Sequence, residues 1–254
     1  MIFKYALVRR PGRSICNGLS TSNLGQPSYP RVLTQHDAYI EALQRCGLEV
    51  ICLDPLEEFP DSTFVEDTAV LIKNCAILTA PGANSRRREV AAIAPVLDDF
   101  FPEVRRIEPP GQLDGGDVMA VDSCLYVGLS GRTNQQGIEQ LSEIVSAYGL
   151  RVSAVPVRGC LHLKTGVTRI AERTLLGTES LLGFPGFADF EKINVGADSA
   201  AAANCIAING KLLMPAGFPA LKEMLSGCGR EVIEVDISEF AKIDGGLTCL
   251  SLRF

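Results

Sequence analysis

The sequence predicts an α/β fold of five ββαβ units closed into a ring, a five-bladed propeller with pseudo-fivefold symmetry. Residues 1–254 are expected to form one domain. Three observations predict this. Pairs of short apolar runs recur around a polar turn, a stretch of helical period follows most pairs, and a strand-like run follows each of those helices. Supersecondary repeats of about 20–50 residues belong to solenoids, propellers and arrays. Unit starts near residues 3, 67, 117, 162 and 204 are spaced evenly enough for radial closure.

The first unit reads FKYALVRR, then a helix from about Arg31 to Cys46 with Val32, Tyr39, Ile40 and Leu43 inward and Gly47 as its stop, then LEVICL. In the second, Asp67 opens TAVLIKNCAILTAPG. A helix from about Arg87 to Phe101 follows, with Val90, Ile93 and Leu97 as its stripe and a kink at Pro95, and then VRRIE. In the third, Asp117 opens VMAVDSCLYVGLSG. The helix from Asn134 to Tyr148 puts Ile138, Leu141, Ile144, Val145 and Tyr148 on one face. Thr133 with Gln136 forms a capping box, Gly149 is the stop, and RVSAVPV closes the unit. The fourth fits more loosely: His162 opens LKTGVTRIAERTLLGTES, two runs around Ala171-Glu172-Arg173. In the fifth, Asn204 opens CIAINGKLLMPAG, whose Asn209-Gly210 is a strong hairpin signal. A helix from Phe218 to Leu225 and the run EVIEVDI complete it.

Composition excludes several classes. At 46% hydrophobic and 21% charged residues the chain is too apolar for disorder. No apolar run approaches the roughly 18 residues of a membrane span. The net charge of −6 argues against a nucleic-acid groove and is compatible with a small cationic partner. Nine cysteines cannot all pair within one chain, and no CxxC is present, which argues against a zinc site. With no secretory signal at the N-terminus, reduced thiols in a cytoplasm are expected.

In a closed ring the unit starts occupy equivalent positions, so Glu66, Asp67, Asp114 to Asp117, His162 and Asn204 converge at one end of the axis. Carboxylates gathered around one of only two histidines suit a cation. Near the C-terminus, Gly245-Gly246 allow a tight turn before an apolar strand with Cys249 at its start. A thiol there is a candidate nucleophile if a base lowers its pKa. His162 is the natural partner, because His36 falls in a helical stretch beside Val32 and Ile40. Read alone, Cys249 is first of all a core thiol. Arg86 to Arg88 could be a solvated helix start, Arg132 a surface residue, Asp61 and Asn204 turn residues, and Asp117 a ligand of backbone groups at a strand start.

Eight ordered blocks then carry a resemblance: Asn17 to Ser20, Phe59 to Asp67, Ser85 to Arg87, Leu113 to Val118, Gly131 to Asn134, Leu161 to Lys164, Ala202 to Cys205 and Asp244 to Cys249. With them the chain resembles the dimethylarginine dimethylaminohydrolases, guanidine-modifying enzymes of the pentein fold, over nearly its whole length. The resemblance implies hydrolysis of asymmetric dimethyl- and monomethyl-L-arginine to citrulline plus an amine, through a covalent Cys thiouronium. It implies no metal or organic cofactor, a homodimer, and a place in arginine metabolism near the nitric oxide pathway. Carried over, Cys249 is the nucleophile, His162 the acid and base, and Asp114 the carboxylate pairing with His162 and substrate. Glu66 and Asp67 match the acidic pair near the guanidinium. Arg86 and Arg132 match the holders of the α-carboxylate, Asp61 matches a ligand of the α-amino group, and Leu19 and Ile243 match backbone contacts. Asp244 is grouped with the substrate-binding residues. Some bacterial members carry Glu where this chain has Asp114, so the reach of that carboxylate is open. The alternatives are a related arginine or guanidine deiminase and a non-catalytic pentein-fold binding protein; the trio Cys249, His162 and Asp114 argues against the latter.

Overall fold

A computed structural model of the chain describes residues 2–227 and 229–254. Cys228, one of the nine cysteines, lies outside the described residues. Five three-stranded sheets share one plan: a first strand runs antiparallel to a middle strand, which pairs in parallel with a last strand. In unit II these are Ala69–Ile72, Cys75–Leu78 and Glu103–Arg106. In unit III they are Val118–Val121, Cys124–Leu129 and Arg151–Pro156. Unit IV has Val167–Ala171, Thr174–Gly177 and Glu191–Asn194, and unit V has Ile206–Ile208, Lys211–Pro215 and Glu231–Val235. The antiparallel pairs need only tight turns. Asn209 and Gly210 both take positive φ between the strands of unit V, as a two-residue hairpin turn demands. The parallel pairs need a crossover, which helices Tyr29–Arg45, Gln135–Ser146 and Pro219–Ser226 supply in units I, III and V.

Unit I departs from the sequence reading. Its middle and last strands are Tyr5–Arg9 and Glu49–Leu53, but its first strand is Leu252–Arg253 from the other end of the chain. The unit therefore does not start near residue 3; the C-terminus closes the ring. The expected helix over 87–101 is instead one 3₁₀ turn, Glu89–Ala92, and the short α-helix Ala94–Asp98. Pro95 sits in the first turn of that helix, where its missing N–H costs nothing, so it starts the helix rather than kinking one. The third helix is capped by Asn134, which accepts from Gly137 N at 2.8 Å, while Thr133 Oγ1 donates to Asp117 instead. Unit IV replaces its long helix with Glu179–Leu182 and a 3₁₀ turn, and the polar run EKIN, not read as a strand, is its last strand.

Five hydrophobic cores hold the ring together, each shared by two neighbouring units. Leu7 and Leu252 of unit I pack with Ala76, Leu78 and Leu97 of unit II. Ile77 meets Leu125 and Leu141 across units II and III, and Met119 and Val155 meet Leu163 and Leu175 across III and IV. Leu176 packs on Leu212 and Leu221 of unit V, and Leu213 and Ile233 return to Tyr39 and Leu43 of unit I. No unit can bury its apolar face alone, and this need is what closes the circle.

Candidate active site

Each first strand is preceded by short helical structure: one turn at Thr248–Leu250, Val65–Thr68, Gly115–Asp117 and Leu163–Gly166, and two turns joined across a kink at Ser199 in Ala197–Ala203. Hydrogen bonds link these turns in ring order. Thr248 Oγ1 donates to Glu66 Oε2 at 2.7 Å, Gly116 N to Asp67 Oδ1 at 2.9 Å, and Leu163 N to Asp117 Oδ1 at 2.8 Å. Asn204 Nδ2 donates to Lys164 O at 2.8 Å, and Thr248 N to Asn204 Oδ1 at 2.9 Å. The convergence expected at the unit starts is therefore present, and Cys249 joins it from the turn just before its strand.

A narrow cleft opens over this ring. Its walls include Leu19, Asp61, Asp67, Arg86, Arg132, His162, Ile243, Asp244 and Cys249 from the sequence reading, together with Phe64 and Leu161. Asp114 and Glu66 do not line it. Asp114 is fully buried behind His162, with Oδ2 at 2.9 Å from Nε2 and Oδ1 accepting from Gly82 N at 2.8 Å. The shorter aspartate thus reaches His162 directly. Glu66 lies under the turn that carries Cys249, where Lys164 Nζ at 2.7 Å, Thr248 Oγ1 and Arg253 Nη2 at 3.3 Å satisfy it. It faces cations of the protein rather than the cleft.

Arg86, expected to hold a carboxylate of substrate, already holds carboxylates of the protein. Its Nε donates to Glu89 Oε1 at 2.7 Å, Nη1 bonds Asp67, and Nη2 donates to Phe64 O at 2.9 Å. Arg132 differs: its Nη1 is 3.6 Å from Asp114 Oδ2, and its guanidinium makes no hydrogen bond among the described residues. The segment over residues 19–22 is fastened to the walls of the cleft. Leu19 N donates to Asp61 Oδ1 at 2.9 Å, Thr21 N and Oγ1 to Asp244 Oδ2, and the Ser20 and Ser22 hydroxyls to Lys242 O. The tight turn before Cys249 falls on Asp244, at φ 59°, not on the glycines after it. Those glycines provide space: a Cβ on Gly245 would stand 2.4 Å from the Phe64 ring, and one on Gly246 2.6 Å from Asn204. Gly116 does the same where a Cβ would meet both His162 Nδ1 and Asp67 Oδ1.

Electrostatics divide the two reactive groups. Burial and the charges of Glu66 and Asp67 push the Cys249 thiol up to about 12, against weaker help from Gly246 N at 3.5 Å and Lys164. Burial pulls His162 down, but Asp67, the bond to Asp114 and the charge of Asp117 outweigh it and raise the imidazole to about 9. Burial likewise works against the Asp67 carboxylate, yet His162 and Arg86 hold it down to about 2. At neutral pH these shifts favour a neutral thiol beside a protonated imidazole. Ligand atoms of Asp67, Asp114 and His162 lie within 4.8 Å of one another, a spacing a metal ion could bridge. Each is already bonded, to Arg86 and Gly116 N, to Gly82 N, or to Asp114, which suits proton transfer better than metal ligation.

Against known proteins, a family profile described as "N,N dimethylarginine dimethylhydrolase, eukaryotic" matches residues 24–176. The chain is 45% identical over 254 residues, all of both chains, to an N(G),N(G)-dimethylarginine dimethylaminohydrolase of Pseudomonas aeruginosa. The chain belongs to the dimethylarginine dimethylaminohydrolase family. A Streptomyces coelicolor member of the family is 40% identical over 98% of this chain and 96% of its own. The solved family structure from Pseudomonas aeruginosa, a cysteine-to-serine variant complexed with citrulline, matches all of both chains at TM-score 0.98 and 44% identity. A dimethylarginine dimethylaminohydrolase with histidine replaced by glycine, as an adduct with S-methyl-L-thiocitrulline, matches all of both chains at TM-score 0.97. An arginine dihydrolase of cyanobacteria, 18% identical at TM-score 0.85, shares the fold.

Lys164, Thr248, Arg253, Glu89 and Phe64 escaped the sequence reading of this family member. Lys164 stood two residues past His162 in a quoted block, but nothing local tells a buried ion pair from a surface lysine. Asp117, read as a ligand of backbone groups, accepts from one of them, Leu163 N, and from the hydroxyls of Ser130 and Thr133.

Proposed function

We propose that this chain hydrolyses N-methylated L-arginines to L-citrulline and dimethylamine or methylamine, with residues 1–254 acting as one catalytic unit. One observation carries this: Cys249 and His162 open onto a single cleft, walled by Asp61 and Asp67 on one hand and Arg132 on the other. A cationic guanidinium beside Asp67 forms charge-assisted hydrogen bonds and offsets the carboxylates that hold Cys249 as a thiol. The thiolate so favoured attacks the guanidinium carbon. His162, protonated at neutral pH, gives its proton to the departing amine and leaves a thiouronium on sulfur. The neutral imidazole then takes a proton from water, whose attack releases citrulline and the thiolate. The adduct and the citrulline complex captured in relatives fit these two halves.

In this reading Asp114 orients His162 rather than touching the guanidinium. Arg132 holds the α-carboxylate, Asp61 the α-amino group, and the backbones of Leu19 and Ile243 border the amino acid. Arg86 fixes Asp67, and Glu66 fixes the nucleophile turn. A homodimer, a cytoplasmic setting and a tie to nitric oxide metabolism belong to this reading through the family likeness alone. Separate incubation with asymmetric dimethylarginine, arginine and agmatine tests the substrate. Faster turnover of arginine would make the enzyme a deiminase, and no turnover of any, with Cys249→Ser indistinguishable from wild type, would make it a binding protein.

A further inference from the structure

Asp117 is fully buried, and among the described residues no lysine or arginine forms an ion pair with it. Its carboxylate is satisfied by three donors instead: Leu163 N at 2.8 Å on Oδ1, and the Ser130 and Thr133 hydroxyls at 2.6 and 2.7 Å on Oδ2. Each donor leads to a residue of the site. Leu163 N belongs to the peptide that follows His162. Ser130 Oγ accepts from Arg132 N at 3.0 Å, and Thr133 Oγ1 accepts from Asp114 N at 3.1 Å. Gly128 shows how closely the carboxylate is housed, since a Cβ there would stand 2.3 Å from Oδ1.

We propose that Asp117 is a positioning residue for the reaction: one buried carboxylate that fixes the backbones of His162, Arg132 and Asp114 against one another and places a negative charge behind the imidazole. The proposal rests on the function above. Burying a carboxylate without a cation is costly, and nothing in the packing of a strand start requires it. Its charge instead favours the protonated imidazole, together with the other groups that face His162: Asp114 at 2.9 Å and Asp67 at 4.0 Å, themselves flanked by Arg132 and Arg86. Burial raises the Asp117 pKa, opposed first by His162, which is the same coupling seen from the other side. The Leu163 tether also crosses the boundary between units III and IV, joining the candidate acid/base of unit IV to the loop of unit III that carries the candidate carboxylate anchor.

The test compares wild type with Asp117→Asn and Gly128→Ala. Asparagine keeps the shape but removes the charge and presents an N–H₂ group to donors. Turnover of asymmetric dimethylarginine is expected to fall by about 100-fold in kcat/KM, the scale of a misplacement near 1 Å. The NMR titration midpoint of His162 is expected to fall by about one pH unit. With only two histidines in the chain, and His36 held down to about 4, the His162 signal is unambiguous. Gly128→Ala keeps the charge and displaces it, so turnover is expected to fall there too. An unmoved His162 midpoint in folded Asp117→Asn, whatever its turnover, overturns the proposal. If that variant does not fold, wild-type turnover in Gly128→Ala overturns it. If wild type itself releases no citrulline, the functional reading fails, while the substrate-free titration still decides the part played by Asp117.

Discussion

Replacing Asp114 by asparagine isolates what the buried carboxylate does for His162. Asp114 Oδ2 receives the imidazolium proton at 2.9 Å in a site with no solvent exposure, and Oδ1 is held by Gly82 N at 2.8 Å. In Asp114→Asn the amide oxygen remains the better partner for Gly82 N, which turns N–H₂ towards Nε2. That nitrogen then accepts, and only a neutral imidazole can. A hydrogen bond to a charged group contributes about 1.5–3 kcal/mol, or about 10- to 150-fold in rate at about 1.4 kcal/mol per decade. The His162 midpoint, raised to about 9 in the native site, is expected to move down. Since the proposed mechanism needs the imidazolium to expel the amine, the loss should be largest at high pH and shrink as the pH falls through the new midpoint. Citrulline release measured across pH, with the imidazole titrated by NMR, reads both effects. A variant that keeps the wild-type pH profile and the wild-type midpoint would refute the orienting role.

Lys164→Met removes the 2.7 Å partner of Glu66 and leaves a buried carboxylate to Thr248 and Arg253. Urea unfolding should show a loss of about 3–5 kcal/mol, and alkylation of Cys249 should slow because a cation near the thiol is gone. His36 is buried in the first helix with neither ring nitrogen hydrogen-bonded, and burial, aided by the charge of Arg10, lowers it to about 4. Unfolded, it takes up its proton near 6.5, so the unfolded chain binds more protons between these values and stability falls with pH through that window, by about 3 kcal/mol. His36→Leu should abolish this share of the acid limb in urea unfolding at several pH values; an unchanged limb would show that other groups produce it. His162 acts with the opposite sign: its raised pKa gives full stabilisation below 6.5, lost as pH rises through about 9, so His162→Ala should flatten the alkaline limb.

The hairpins and the helices of units I, III and V were legible because alternation, helical periodicity and an Asn-Gly turn are local signals. The last strand of unit IV was not, because EKIN is mostly exposed and carries no apolar pattern. The closure of unit I by Leu252–Arg253 was also hidden, since a two-residue strand has no period and its partner is at the other end of the chain. The convergence of Asp67, Asp114, His162 and Cys249 followed from the repeat and the ordered motif blocks. The direction each side chain faces did not.

Sequence by itself determined the five-unit ring, the residue types gathered at its axis and the family they spell. The tertiary structure alone decided that Glu66 answers to Lys164 and Arg253, that Arg86 is bound by Asp67 and Glu89, and that Asp117 ties three site residues together. The physical reason is desolvation. A buried charge settles against whichever neighbours, from any unit, can satisfy all its lone pairs or protons, and chain order carries no record of that competition.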